Sequence, residues 1–134
     1  MSISEKNKDS IGQLNKMLEV TLKKVDQEII YRLDKSIPLI NDIGIHLINA
    51  SGKRIRPLLT LAMATQLNDK SKNPILLAAA VEFIHTATLL HDDVIDEATT
   101  RRGVESTYRK WNATLAILAG DYLLARSSEL AADN

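Results

Sequence analysis

Apolar residues in the first third of the chain recur at steps of three and four. Ile11, Leu14, Leu18, Leu22, Val25, Ile29 and Leu33 form one stripe. That period belongs to an amphipathic helix and is incompatible with the two-residue alternation of a half-buried strand. No strand alternation, repeat or low-complexity tract follows it. Only 5 Gly, 3 Pro and 4% aromatic residues in 134 agree with helices rather than sheets. The expected fold is all-α, a helical bundle.

Punctuation residues divide the pattern. Pro38 marks the end of the first helix or a kink, because proline cannot donate the interior hydrogen bond. Residues 38–50 form a second, shorter helical pattern, broken at Gly52. Pro57 suits the first turn of a helix reaching about Leu67. Residues 68–73 read as a surface loop, and Asn73-Pro74 as an N-cap with proline at the first helical position. The helix that starts there, rich in Ala, Leu and Ile, reaches about Asp96. Residues 97–110 are polar, and a last helix covers about 112–131.

Composition excludes several function classes. With 45% hydrophobic residues and no net charge, the chain is not of the disordered type. The balance of 17 basic against 17 acidic residues argues against a nucleic-acid binder held by bulk charge. Absence of cysteine removes disulfides, thiol catalysis and zinc–cysteine sites. Residues 1–10 lack the apolar core of a signal peptide, and purely apolar runs fall well short of the ~20 residues of a spanning helix. A cytoplasmic protein without a transmembrane segment is expected.

Two kinds of charged segment carry chemistry. In His91-Asp92-Asp93-Val94-Ile95-Asp96, Asp92 and Asp96 stand four residues apart, about 6 Å along a helix axis on one face. Stacked carboxylates repel, and the negative helix C-terminus adds to the repulsion. A hard divalent cation such as Mg²⁺, which takes oxygen ligands and shares them with phosphates, would resolve both; the plainer alternative is a solvated acidic helix end. Val81, His85 and Thr88 fall on the same side as Asp92 and Asp96, so that side reads as one wall of a channel.

The second kind is cationic. Lys53, Arg54 and Arg56 lie at a helix start, where cations oppose the dipole unless an anion joins them. Lys53 and Arg56 around Gly52 read as a phosphate or diphosphate site, or else as a solvated basic turn. Arg101 and Arg102 form a further pair suited to phosphate oxygens. Two cationic patches and one carboxylate cluster suit two polyanions, one held through metal and one directly. No Ser-His-Asp arrangement or P-loop competes with that layout.

These segments, taken in order, resemble the trans-polyprenyl diphosphate synthases, most closely the octaprenyl type. Ser51-Gly52-Lys53-Arg54-Ile55-Arg56-Pro57 resembles the GGKRxRP motif. The stretch from Phe83 through His85, Ala87 and Thr88 to Asp96 resembles the first aspartate-rich region, and Arg101-Arg102-Gly103 and Gly120-Asp121-Tyr122-Leu123-Leu124-Ala125-Arg126 match in order. The resemblance spans about residues 15–132. It implies an isoprenoid synthase-type helical bundle that joins an allylic diphosphate to isopentenyl diphosphate, head to tail. Lys53, Arg56, His85 and Arg102 would bind isopentenyl diphosphate. Asp92 and Asp96 would ligate Mg²⁺ with Asp93 supporting, and Arg101 would hold the allylic diphosphate. Small residues at Ala87 and Thr88, just before the aspartates, imply a medium-to-long product. His46 and His91 read as structural.

The resemblance also marks departures. Ser51 stands in place of the first glycine of its motif. The family's second aspartate-rich motif lies on a later helix, beyond residue 134. The 134 residues are therefore expected to form the N-terminal part of one synthase domain, a half-built bundle inactive alone. A homodimer is implied for the full-length enzyme. The alternative is a non-catalytic truncated homologue that dimerises with a full-length synthase. A terpene cyclase, which also uses an aspartate-rich helix, would have no second diphosphate for Lys53 and Arg56.

Overall fold

The computed structural model describes residues 2–33, 37–50 and 54–133. Its order is α1 (Ile3–Met17), α2 (Glu19–Arg32), α3 (Pro38–Ala50), α4 (Ile55–Gln66), α5 (Asn73–Ile95), β1 (Thr100–Arg101), β2 (Val104–Glu105), α6 (Thr107–Lys110) and α7 (Ala113–Ala132). The all-α expectation holds, with one small hairpin added.

The first stripe is two helices rather than one. Leu18 leaves helical geometry, at φ −105° and ψ 10°, although i→i−4 bonds continue on both sides of it, Leu18 N–H to Leu14 and Leu22 N–H to Leu18. Burial explains the division. The stripe meets the core only from Leu18 onward, and α2 buries Val25 and Ile29 while α1 carries Ile3 and Met17 exposed. A capping box secures the start of α1, with Glu5 N–H donating to Ser2 Oγ and Ser2 N–H to Glu5 Oε2.

Pro38 opens α3 rather than ending or kinking the helix before it, since α2 stops at Arg32. Asn73, expected as a cap, is the first residue of α5; Lys72 takes the cap position without a side-chain bond. The polar loop supplies the local order instead: Asp69 Oδ1 accepts from Ser71 N–H and Oγ–H, and Ser71 Oγ accepts from Asn73 N–H.

The end of α5 matters most for the site. Glu97 adopts φ 53°, Ala98 N–H donates to the Asp93 carbonyl and Glu97 N–H to the Val94 carbonyl. That is a Schellman stop with glutamate in the position usually held by glycine. It turns the chain sharply into the hairpin. There Thr100 pairs with Glu105 and Arg101 with Val104. Arg102 and Gly103, at φ 53° and 76°, form the two-residue turn whose positive angles suit the twist of a hairpin. Strands of two residues are too short to show alternation in a sequence.

α5 is the core helix. It packs on α7, α4 and α2. Ala78, Ala79, Ala80, Phe83, Ala87 and Leu90 are all buried, meeting Ala119, Leu123 and Leu130 of α7 and Val25 and Ile29 of α2. Among the described residues α5 is one helix long and apolar enough to cross a membrane. Its apolar side is spent on α2, α4 and α7, and its last turns carry His91, Asp92 and Asp93.

Candidate functional site

The open side of α5 carries the residues expected there. Thr88, Asp92 and Asp96 are exposed, and Val81 and His85 are half-buried. Asp92 and Asp96 occupy the last turn and cap, where Asp96 N–H donates to the Asp92 carbonyl. Ala87 and Thr88 part company: Ala87 is fully buried in the core, whereas Thr88 stays on the open side with its hydroxyl donating to the His85 carbonyl.

His85 meets the start of α4. Arg56 Nη1 lies 3.3 Å from His85 Nε2. A guanidinium only donates, so Nε2 accepts and the imidazole is neutral with its proton on Nδ1. Burial, then the charges of Arg56, Arg102 and Arg101, hold the His85 pKa below its ordinary value. One arginine of α4 thus touches the imidazole, and two from the hairpin add their positive field to it. Lys53, Gly52 and Ser51 lie outside the described residues.

The two hairpin arginines do different work. Arg102 sits exposed at the turn. Arg101 turns back and grips Asp93 with two donor nitrogens, Nη2 to Oδ1 at 2.6 Å and Nε to Oδ2 at 3.0 Å. The Asp93 side chain is 5% exposed and that of Arg101 32%. The hydrogen bond to Asp93 raises the Arg101 pKa first, against desolvation, and Asp93, Asp92 and Asp96 add to it. Asp93 is therefore matched inside the protein, and Arg101 is anchored while still within the field of Asp92 and Asp96.

Among the described residues no group of three or more His, Cys, Asp or Glu could hold a metal by itself. The donor set still fits Mg²⁺. That ion is commonly held by one or two carboxylates plus substrate phosphates and water, and Asp92 and Asp96 are two exposed carboxylates one turn apart.

Several contributors escape sequence reasoning. Arg54 adopts φ 55° at the start of α4 and pairs with Asp26 of α2, Nη1 to Oδ1 at 2.6 Å. Glu82 is buried, an acid within an apolar run, and burial raises its pKa while Arg54 and Arg56 pull it down. The lone charge in that run was the available signal. His91 reaches across to α7, its Nε2 3.2 Å from the Ile117 carbonyl and 3.4 Å from Asp121 Oδ1. Gly120 leaves room for it, since a Cβ there would collide with the His91 ring. His46 Nε2 lies 2.7 Å from the Glu105 carbonyl, and its ring packs edge-on against Trp111. Both histidines tie elements together, in keeping with their structural reading.

Residues 37–134 match the polyprenyl synthetase family. The chain belongs to that family. It is 39% identical over 123 residues to octaprenyl diphosphate synthase of Haemophilus influenzae, covering 92% of this chain and 37% of that protein. It is 46% identical over 110 residues to nonaprenyl diphosphate synthase of Mycobacterium tuberculosis, covering 81% and 33%. In three dimensions it resembles a decaprenyl diphosphate synthase of Rhodobacter capsulatus, with TM-score 0.87, 44% identity and coverage of 92% and 38%. A polyprenyl synthase of Caulobacter crescentus, crystallised with calcium and isoprenyl diphosphate, gives TM-score 0.87 at 41% identity, covering 92% and 38%. The fold is thus the helical bundle of the isoprenoid synthases. This chain spans less than two-fifths of the length of these relatives.

Proposed function

We propose that these residues form the diphosphate-binding wall of a trans-polyprenyl diphosphate synthase, a prenyltransferase that lengthens an allylic diphosphate by one isopentenyl unit. The observation that supports it best is the polarity of one face of α5. His85, with Arg56 and Arg102 around it, stands seven residues before Asp92, about 10 Å along the axis. The cationic end would hold isopentenyl diphosphate through Arg56, His85, Arg102 and Lys53. The acidic end, Asp92 and Asp96, would hold Mg²⁺ with the allylic diphosphate, Arg101 contributing charge beside it. When bound, Mg²⁺ supplies Lewis-acid help to the departing diphosphate.

The chain's own residues orient the two substrates along α5. The allylic C–O bond breaks, the isopentenyl double bond supplies the electrons for the new C–C bond, and a proton leaves the isopentenyl unit for the released diphosphate. No side-chain base is required. Thr88 on the open side leaves room for a growing tail, consistent with a medium-to-long, octaprenyl-like product. We place the protein in the cytoplasm and expect a homodimer of the full-length enzyme.

Calorimetry with farnesyl diphosphate tests the reading. Binding should require Mg²⁺ and should vanish in Asp92→Asn. Binding that persists in a chelator, or none with Mg²⁺ present, would defeat it. A second reading, a non-catalytic module that dimerises with a full-length synthase, draws support from Leu118 and Leu124 of α7 and Ile84 of α5, all exposed. Such a module would bind a synthase without any Mg²⁺-dependent ligand affinity.

A further inference from the structure

Each basic segment holds one anchored arginine and one open to a ligand. In the hairpin, Arg101 is gripped by Asp93 and Arg102 is exposed. At the start of α4, Arg54 is gripped by Asp26, its side chain 15% exposed, and Arg56 is exposed and touches His85. The α4 anchor joins two helices, with a buried carboxylate of a third in its field. Asp26 comes from α2, Arg54 caps α4, and Glu82 of α5 is buried among the same charges. Glu82 and His85 are one turn apart on α5, so they lie on neighbouring positions of the same strip.

Arg54 also fixes the backbone. Its left-handed φ of 55° is unfavourable for a residue with a Cβ. α4 starts with no side-chain cap hydrogen bond. The guanidinium–carboxylate contact to Asp26 therefore holds in place the turn from which Arg56 projects two residues later.

We propose that Asp26 and Arg54, beside the buried Glu82, form a positioning clasp that pins the start of α4 to α2 and thereby sets Arg56 against His85 to receive a diphosphate. None of the three touches the ligand. Their action runs through Arg56, and the proposal rests on the anion-site reading above.

Asp26→Asn is the decisive variant, because Asp26 is partly exposed and its amide is nearly isosteric. The readouts are the affinity of the chain for inorganic pyrophosphate and the His85 ring signals in proton–nitrogen correlation spectra. Asp26→Asn should weaken pyrophosphate binding by about tenfold, the scale on which outer partners of a binding side chain act. It should shift the His85 signals and leave helix content unchanged, and Asp26→Glu should recover part of the affinity. Glu82→Gln should act in the same direction; if it does not fold, Asp26→Asn decides alone. Unchanged affinity together with unmoved His85 signals overturns the clasp. Weaker binding with unmoved His85 signals overturns it too, since the loss would not run through Arg56. If the unaltered chain fails to bind pyrophosphate, the anion-site reading falls, and the ring signals by themselves decide whether the clasp sets Arg56.

Discussion

Replacing Gly120 with alanine should destabilise the chain, against the usual sign for a helical glycine. In a helix interior Gly→Ala ordinarily stabilises by roughly 0.5–1 kcal/mol through backbone entropy. Gly120 is buried in α7, and a Cβ there would lie 2.7 Å from His91 Cδ2 and 3.1 Å from Cε1, with Nε2 closer still. The ring has little freedom to retreat, because Nε2 faces the Ile117 carbonyl and Asp121. Overpacking of this kind costs about 1–3 kcal/mol. The difference spans about 0–2.5 kcal/mol and centres on a net loss of about 1 kcal/mol, or a fall in Tm of about 3–5 °C for a domain of this size. Gly12 in α1 is the control, since nothing lies within 4 Å of its Cβ position; Gly12→Ala should be neutral or slightly stabilising. Urea unfolding followed by far-UV circular dichroism gives both values. In a His91→Ala background the Gly120→Ala penalty should disappear, a coupling that a double-mutant cycle reads directly. A Gly120→Ala chain as stable as the parent would refute the steric reasoning, and an unchanged penalty without the His91 ring would assign it to another contact.

Other substitutions probe separate links. Arg101→Ala leaves the nearly buried Asp93 without its partner and should cost about 3 kcal/mol, near the low end for a broken buried pair because Arg101 is a third exposed; Asp93→Asn in that background should recover part of it in the same unfolding assay. Phe83→Ala empties a core position and should cost about 3–5 kcal/mol by urea midpoint. Since the folded His85 pKa lies below its unfolded value of 6.5, the folded state binds fewer protons, and stability should be lost as pH falls from about 6.5 through the depressed folded value. Tm measured against pH should show that loss in the parent and not in His85→Gln. If the proposed function holds, Thr88→Phe in an active synthase carrying these residues should shorten the product, read by chromatography of the prenyl chains; an unchanged product would remove Thr88 from the tail path.

The helices were legible because their apolar periods are long, and the open face of α5 was legible because His85, Thr88, Asp92 and Asp96 obey the helical repeat. Arg56 and His85 are 29 residues apart, and only a motif resemblance could bring them together before the fold was known. What stayed hidden lies in short-range geometry without a period. The break at Leu18 depends on where the stripe meets the core. The hairpin is two residues a side. The grip of Arg101 on Asp93 depends on a left-handed Glu97 that folds an eight-residue segment back on the helix. Neither aspartate of the Asp92-Asp93 pair announces which one is buried. Lys53, expected with Arg56 at the anion site, lies outside the described residues.

The division of labour within each charged doublet follows from desolvation. A guanidinium or carboxylate that turns inward must be matched, because an unpaired buried charge is prohibitive. Arg101 and Asp93 match each other, as do Arg54 and Asp26. Once those pairs form, Arg56, Arg102, Asp92 and Asp96 remain outward with their charge unspent on internal ion pairs among the described residues. Like charges left on one face favour a counter-charged ligand, a cation at the acidic end and an anion at the basic end. The ordering of α5 by its apolar face and the clamping of both adjoining turns by ion pairs are therefore one device. The core sets where α5 lies, the inward pairs set where its neighbouring turns lie, and the outward charges are left to be met from outside the protein, as the proposed diphosphate wall requires.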